Sequence, residues 1–405
     1  MRALFTCLPG FGHFHPMVPL ATAVRDRGHE VAFVSAADFC PVIERAGFTA
    51  FGAGMNLAEQ LDQARRRFRQ EAALTGKERF HQFVPKMLAG VAAPARAPEL
   101  VAIVRDWQPD IMVRDETDFA GPVAATVAGI PYADQSVGIL RPLEMARLAS
   151  QTLDPLCQDW GVDVGPFGGM FRFLYLDACP PSLQSDEIHL IDVAHPVHNI
   201  EAPPSGQELP PWWGSLSDDP TVYVSLGTVF NQNRDVFFAV LEGLQDEPVN
   251  LILTIGNDND PAVFGARPDN VHIERYIPQS LLLPHCSLAV NQGGTAILPI
   301  LAAGLPVLVL PQGANQFHNA DACVAAGVGR RLLPSEVDRG AVNREVGALL
   351  ADPVHRESAR RLQGEFASMP GPDEGALLLE RLYRTGRPLP RPRAPADDRA
   401  AWHPA

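Results

Sequence analysis

The sequence predicts an α/β protein made of two doubly wound parallel sheets. Three observations carry that prediction. Short apolar runs alternate with helical patterns through both halves of the chain. The alternation is interrupted once, at 201–219 ("EAPPSGQELPPWWGSLSDD"), a stretch rich in Pro, Gly and acidic residues without periodicity. In each half a glycine-rich turn follows a strand and opens a helix: "PGFGHFHP" at 9–16 and "NQGGT" at 291–295.

In the first half "ALFTCL" (3–8) is a continuous apolar run of the kind a buried parallel strand shows. A helix follows from Pro16, whose fixed φ suits a first helical position, with Met17, Leu20, Ala21 and Val24 as its apolar stripe. "EVAFVS" (30–35), "DIMVRD" (110–115) and "PYADQSV" (131–137) are the next strands, with helix "FAGPVAATVAG" (119–129) between the last two. Residues 140–185 carry "GPFGGMFRF" and "CPPSLQ" and read as loops or short helices over a cleft. After the interruption the strands are "TVYVSLGT" (221–228), "NLILTIG" (250–256), "NVHIERYI" (270–277), "SLAV" (287–290) and "VLVL" (307–310). Helices are expected at 235–244, 294–304 and 316–327. The expected layout is a first domain over 1–205, a linker over 206–219, a second domain over 220–385 and a disordered tail over 386–405.

A chain of 405 residues has room for two cores. Its net charge of −14 argues against nucleic acid or an anionic membrane as a partner. An anionic small molecule is still allowed, because helix ends bind anions without basic side chains. No apolar stretch reaches the length of a membrane span, and the start does not read as a signal peptide. The six cysteines are scattered, with no metal-like spacing, as expected for reduced thiols of a cytoplasmic protein.

Ligands of doubly wound sheets collect beyond the carboxyl ends of the strands, so both glycine-rich turns lie where a ligand would bind. His13, in the first turn, is a candidate general base; the alternative is a histidine that caps the helix or packs in the turn. His15 is the weaker candidate. Such a base is improved by a carboxylate that orients it. "VRDETDFAG" (113–121) offers Asp115, Glu116 and Asp118 at the end of a strand. Asp118 is best placed to cap the following helix, and Asp115 to reach the ligand. In the second half Gly293 and Gly294 allow close backbone approach and Thr295 adds a hydroxyl, while "SLGT" (225–228) could cradle a phosphate.

The segments "GHFHPMVPLATAVRDRGHEVAFVS" and "LLLPHCSLAVNQGGTAILPILAAGLPVLVLPQGANQFHNADACVAAGVG", with "LDACPPSLQ", "VYVSLGT" and "MPGPDE", resemble the natural-product glycosyltransferases that use nucleotide-diphosphosugars. Those enzymes decorate macrolides, enediynes, aromatic polyketides and glycopeptides. The resemblance implies a GT-B fold, two Rossmann-like domains facing across a deep cleft, with the acceptor in the first and the activated sugar in the second. It implies an inverting, metal-independent reaction without cofactor, dTDP- or UDP-sugar as co-substrate and an aglycone as partner, with a homodimer allowed.

The resemblance carries His13 over as the base and Asp115 as its acidic partner. Ser225, Gly227, Thr228, Gly293, Gly294 and Thr295 match positions around the donor phosphates. Tyr276, Ile277 and Gln279 match the segment that packs on the nucleotide base, and Gln316 a sugar contact. Phe14, Asp134, Phe167 and Met170 are expected to contact the acceptor. The stretches 54–92 and 167–175 read either as the lining of an apolar acceptor pocket or as core. Two positions depart from the family pattern: Gln292 stands where a histidine is usual, and Asn315 where an acid is usual. With Gln292, leaving-group stabilisation is expected to rest on backbone amides and the helix dipole, and the loss of a carboxylate at Asn315 suits a deoxy- or aminosugar. Rival expectations are C-glycosylation with Asp134 activating a phenol, a nucleotide-sugar epimerase, and a non-catalytic helper with a degraded donor site.

Overall fold

The computed structural model describes residues 1–200, 206–228, 231–257 and 259–391. The chain forms two compact units. One comprises Met1–Cys179, Gln184–Asn199 and the described residues from Met369 onward; the other comprises Pro180–Leu183 and Ile200–Ser368.

The sheet of the first unit contains β1 (Arg2–Thr6), β2 (Glu30–Ser35), β3 (Thr49–Gly52), β4 (Ile111–Asp115), β5 (Tyr132–Gln135), β6 (Tyr175–Asp177) and β7 (Ala194–Pro196). All pair in parallel, in the order β3-β2-β1-β4-β5-β6-β7. The second unit has β8 (Thr221–Ser225), β9 (Asn250–Thr254), β10 (Val271–Glu274), β11 (Leu288–Asn291), β12 (Val307–Val309) and β13 (Gly329–Arg331). Their order is β10-β9-β8-β11-β12-β13, again all parallel. Each is the doubly wound arrangement that the alternating pattern predicts, with the strand order reversing beside β1 and beside β8.

Four strands escape the sequence reading: β3, β6, β7 and β13. Their sequences, TAFG, YLD, AHP and GRR, carry no apolar run of the kind that marks β1 or β12. The expectation of loops or short helices over 140–185 is also overturned, because an 18-residue helix, Leu143–Trp160, fills much of it. Its inward face (Leu143, Ala146, Ala149, Leu153) is buried in the core.

Three boundary expectations need correction. Helix Pro372–Thr385 belongs to the first unit rather than the second. Its Leu378, Leu379 and Leu382 pack in one cluster with Leu20 and Val24 of helix Val18–Asp26. The predicted tail begins ordered: Leu389 is buried, its N–H donates to the Phe173 carbonyl, and Arg391 N–H donates to that of Asp192. Residues 392–405 of that tail lie outside the described residues. The linker expected at 206–219 is not a free spacer either, since those residues cluster with the second unit. There Trp212 stacks on His272 of β10 at 3.8 Å and 6°, and its Nε1 donates to Glu274 at 3.0 Å. An aromatic cover on an outer strand also protects an otherwise open sheet edge.

One continuous helical run, Gly76–Trp107, does reach the length and apolarity of a membrane span, which the sequence reading had not found. Two thirds of its most apolar window is buried (67%), with Phe83, Leu88, Val91 and Leu100 in the first unit's core. The run contains a π-turn at Leu88–Ala92. Pro94 has no N–H to give the Gly90 carbonyl, and Arg67 Nη1 supplies the missing donor.

Candidate active site

Because β1 and β4 are neighbours, the turns that follow them meet at the carboxyl edge of the first sheet. His13 lies in the short helix Phe11–Phe14 after β1, and Asp115 is the last residue of β4. His13 Nδ1 and Asp115 Oδ2 are 2.5 Å apart. The Asp115 side chain is fully buried, whereas that of His13 is 31% exposed. The carboxylate is further held by Thr117, whose N–H donates to Oδ1 at 2.9 Å and whose hydroxyl donates to Oδ2 at 2.7 Å. Burial alone would raise the Asp115 pKa; the neighbouring His13 and the hydrogen bonds from His13 and Thr117 overcome it and hold it down at about 2. An ionised, immobile acceptor at Nδ1 fixes the imidazole tautomer with its proton there, leaving Nε2 to receive a proton.

Thr117 was missed by sequence reasoning. A Thr two residues after a strand-end Asp is the signal that could have found it, since short hydroxyl side chains fold back on such turns. The other two carboxylates of "RDETD" have separate work. Asp118 caps Ala120 N–H at 3.1 Å, the role expected of it, and pairs with buried Arg96 at 2.9 Å. Glu116 accepts from the Tyr175 hydroxyl at 2.8 Å and pairs with Arg141. His15 packs at the edge of Phe11 and Phe14, and burial lowers its pKa.

The expected acceptor contacts are placed differently from the prediction. Phe14 is a core residue, ringed by Phe33 and Phe39. Phe167 and Met170 are buried in the first unit's main cluster, so core packing describes them. Asp134 is fully buried and fully engaged: Arg114 Nε donates to one oxygen at 2.5 Å, and Phe171 N–H to the other at 2.7 Å. No phenol can reach it without breaking that pair, which removes the basis for Asp134-assisted C-glycosylation.

In the second unit β8 and β11 run side by side, with Ser225 in register with Asn291. The turns "SLGT" and "NQGGT" therefore meet at one edge. Asn291 joins them, donating from Nδ2 to the Ser225 carbonyl at 3.0 Å and accepting from Gly293 N–H at Oδ1 at 2.8 Å. The Gly293 amide is thus already engaged, which corrects the expectation that it faces a phosphate. The helix behind this turn is also shorter than predicted, Ile297–Ala302, so its dipole is small. Gly293 has φ +84° and Gly227 +72°. The positive φ of Gly227 favours glycine, and a Cβ there would displace the end of the Gln292 side chain. The Gln292 side chain lies over both turns, 6% exposed, and its Oε1 is buried with no protein partner.

Thr228 is exposed, Thr295 and Asn315 are half-buried, and Tyr276 is 57% exposed beyond β10. Ile277 is core; Gln279 Nε2 donates to the Ala296 carbonyl at 3.3 Å, beside the glycine turn. Gln316 is buried, and its Oε1 accepts from Gln312 and Gly313 N–H at 2.7 and 3.0 Å. That carbonyl closes the turn after β12, leaving only Nε2 for a ligand. Among the described residues there is no group of His, Cys, Asp and Glu able to hold a metal ion.

Comparison with known proteins agrees with this geometry. Residues 22–227 match the family described as erythromycin biosynthesis protein CIII-like, N-terminal domain, and residues 239–382 its C-terminal counterpart. The chain is 32% identical to the L-demethylnoviosyl transferase of Streptomyces niveus, covering 96% of this chain and 99% of the relative. It is 28% identical to the aclacinomycin-T 2-deoxy-L-fucose transferase of Streptomyces galilaeus, covering 94% and 96%. Among solved structures it resembles the spinosyn rhamnosyltransferase SpnG, also solved with thymidine diphosphate and with spinosyn aglycone (TM-score 0.77, 25% identity, 94% of this chain and 100% of that one). It likewise resembles the glycosyltransferase SnogD of Streptomyces nogalater (TM-score 0.73, 26% identity, 95% and 99%). Two doubly wound parallel units are shared with these structures, and the chain belongs to the erythromycin biosynthesis protein CIII-like family of GT-B glycosyltransferases of natural-product biosynthesis.

Proposed function

We propose that this enzyme moves a deoxysugar from a thymidine-diphosphate donor to a hydroxyl of an apolar or aromatic aglycone, with inversion and without a metal. The His13–Asp115 contact carries the reading. The acceptor hydroxyl gives its proton to His13 Nε2 as its oxygen attacks the anomeric carbon. Asp115 stabilises the imidazolium that forms, and Thr117 keeps the carboxylate aimed. The bond from the anomeric carbon to the diphosphate breaks, through an oxocarbenium-like transition state. Leaving-group charge is met by the Ser225 and Thr228 hydroxyls, the Gly294 and Thr295 amides and the Gln292 amide. UDP-sugar is the alternative donor. The neutral Asn315, and a relative whose name specifies a 2-deoxy sugar, support a donor with few hydroxyls.

The test is to incubate the protein with thymidine-diphosphate deoxysugars and a panel of hydroxylated polyketides. Mass spectrometry identifies the product, and its anomeric configuration is read by NMR. Undiminished rate in EDTA and an inverted anomeric centre are expected. Preference for a fully hydroxylated hexose donor, retention of configuration, or equal turnover by His13→Ala would each defeat part of the reading.

A further inference from the structure

Among the described residues, the mechanism above leaves Arg141, at the carboxyl edge of the first sheet, unassigned. Arg141 lies in the turn between β5 and helix Leu143–Trp160, with Nη2 at 3.3 Å from Glu116 Oε1. Two other arginines of this unit, Arg96 and Arg114, are buried inside it, and in each only Nη2 is without a partner among the described residues. Arg96 donates to Cys7 and Ala53 carbonyls and to Asp118, and Arg114 to Asp134 and the carbonyls of Glu116 and Asp118. Arg141 differs. Its side chain is 17% exposed, and Glu116 is the only partner found for its five N–H donors among the described residues.

Glu116 is built to hold that guanidinium still. It is 2% exposed and accepts from the Tyr175 hydroxyl. Burial pushes its carboxyl up, while Arg141 and the Tyr175 hydrogen bond pull it back. The turn carrying Arg141 is fixed at both ends, Leu140 N–H donating to Gln184 at 2.8 Å and Leu143 N–H to Glu187 at 3.0 Å. Position completes the case. Asp115 orients His13 and the next residue, Glu116, orients Arg141; β4 and β5 pair side by side, so both groups belong to turns at the same carboxyl edge of the first sheet, where a ligand of such a sheet binds.

We propose that Arg141 determines acceptor specificity. Its free N–H groups take a second oxygen of the aglycone, a carbonyl or an ionised phenol, while His13 takes the proton of the hydroxyl to be glycosylated. The acceptor class is then a hydroxylated aromatic ketone or quinone rather than a plain alcohol. This rests on the glycosyltransferase reading and narrows its substrate.

The probes are a hydroxyanthraquinone and the hydroxyanthracene that lacks its carbonyls, tested on wild type, Arg141→Ala, Arg141→Lys and Glu116→Gln. A hydrogen bond to a charged group is worth enough that Arg141→Ala should lose about ten- to a hundredfold in kcat/KM for the quinone. The loss should lie mainly in acceptor KM, with the anthracene, donor KM and the thermal shift given by thymidine diphosphate unchanged. Lysine keeps the charge without the fork and should recover part of it, and Glu116→Gln should fall between. Quenching of tryptophan fluorescence by each probe measures binding without turnover. Unchanged quinone KM and selectivity in Arg141→Ala that still binds thymidine diphosphate would overturn the proposal. So would wild type that binds the nucleotide but neither probe, or both probes equally. Wild type that does not bind the nucleotide refutes the broader reading instead.

Discussion

The two units use the same fold to build opposite kinds of site. At the first sheet's edge, charge is concentrated and internally satisfied: Asp115 alone receives one bond from His13 and two from Thr117. At the second sheet's edge, the turns from β8 and β11 carry no cationic side chain, and the buried Gln292 Oε1 and Asn319 Oδ1 have no protein partner. The difference has a physical logic. A base must be oriented before the substrate arrives, so the protein spends its own hydrogen bonds on it. A diphosphate brings its own charge, so its cradle can be built from neutral amides and hydroxyls without a cation.

The largest test of this contrast is His13→Ala. Turnover should fall about 10³- to 10⁴-fold while the thermal shift from thymidine diphosphate stays intact, since only the first edge is touched. Loss of nucleotide binding as well would mean the two edges are not separable. Asp115→Asn should come next, at about 10²- to 10³-fold in kcat, because the neutral amide no longer stabilises the imidazolium. Acceptor and donor KM should hardly move.

On the donor side the effects should be smaller. Gln292→Ala removes a neutral hydrogen bond worth about 1 kcal/mol, or roughly fivefold in thymidine diphosphate affinity by calorimetry. Gln292→His should bind the nucleotide more tightly at acid pH than at neutral pH, because only the imidazolium makes a charge-assisted bond. The wild-type affinity should lack that acid-side gain; its presence would show that a cation already serves the site.

The smallest effect concerns stability. Burial raises the Asp177 pKa to about 7, against bonds from Cys179 N–H and Gln184 that lower it. The native state keeps this proton where the unfolded chain has lost it, so stability falls as pH rises from about 4 through 7. Asp177→Asn should raise the melting midpoint by a few degrees at pH 8, and the gain should vanish near pH 4. An equal gain at both values would show that the carboxyl is not held protonated.

Much of this was legible in the sequence. The nine strands recognised from it were long or apolar enough to declare themselves, and glycine turns marked both edges, those of the second unit with positive φ at Gly227 and Gly293. His13 could be singled out because histidine in a strand-to-helix turn is chemically conspicuous. Three carboxylates competed for it within four residues, and periodicity alone could not choose among them. The choice was made by the adjacency of β1 and β4, which brings Asp115 to Nδ1 and leaves Glu116 to Arg141.

Tertiary structure also decided the fate of residues whose chemistry suggested one role and whose packing gave another. Phe14 and Asp134 look like ligand contacts in a string of letters, yet one is core and the other is an internal ion pair. The Gly293 amide looks available until Asn291 folds across it. Helix Pro372–Thr385 has an apolar stripe that would serve either sheet, and only the surface presented by Leu20 and Val24 assigns it to the first. Local sequence dictates period, turn and chemical type, because those depend on near neighbours. Which groups finally meet depends on strand order and packing, which no local pattern encodes.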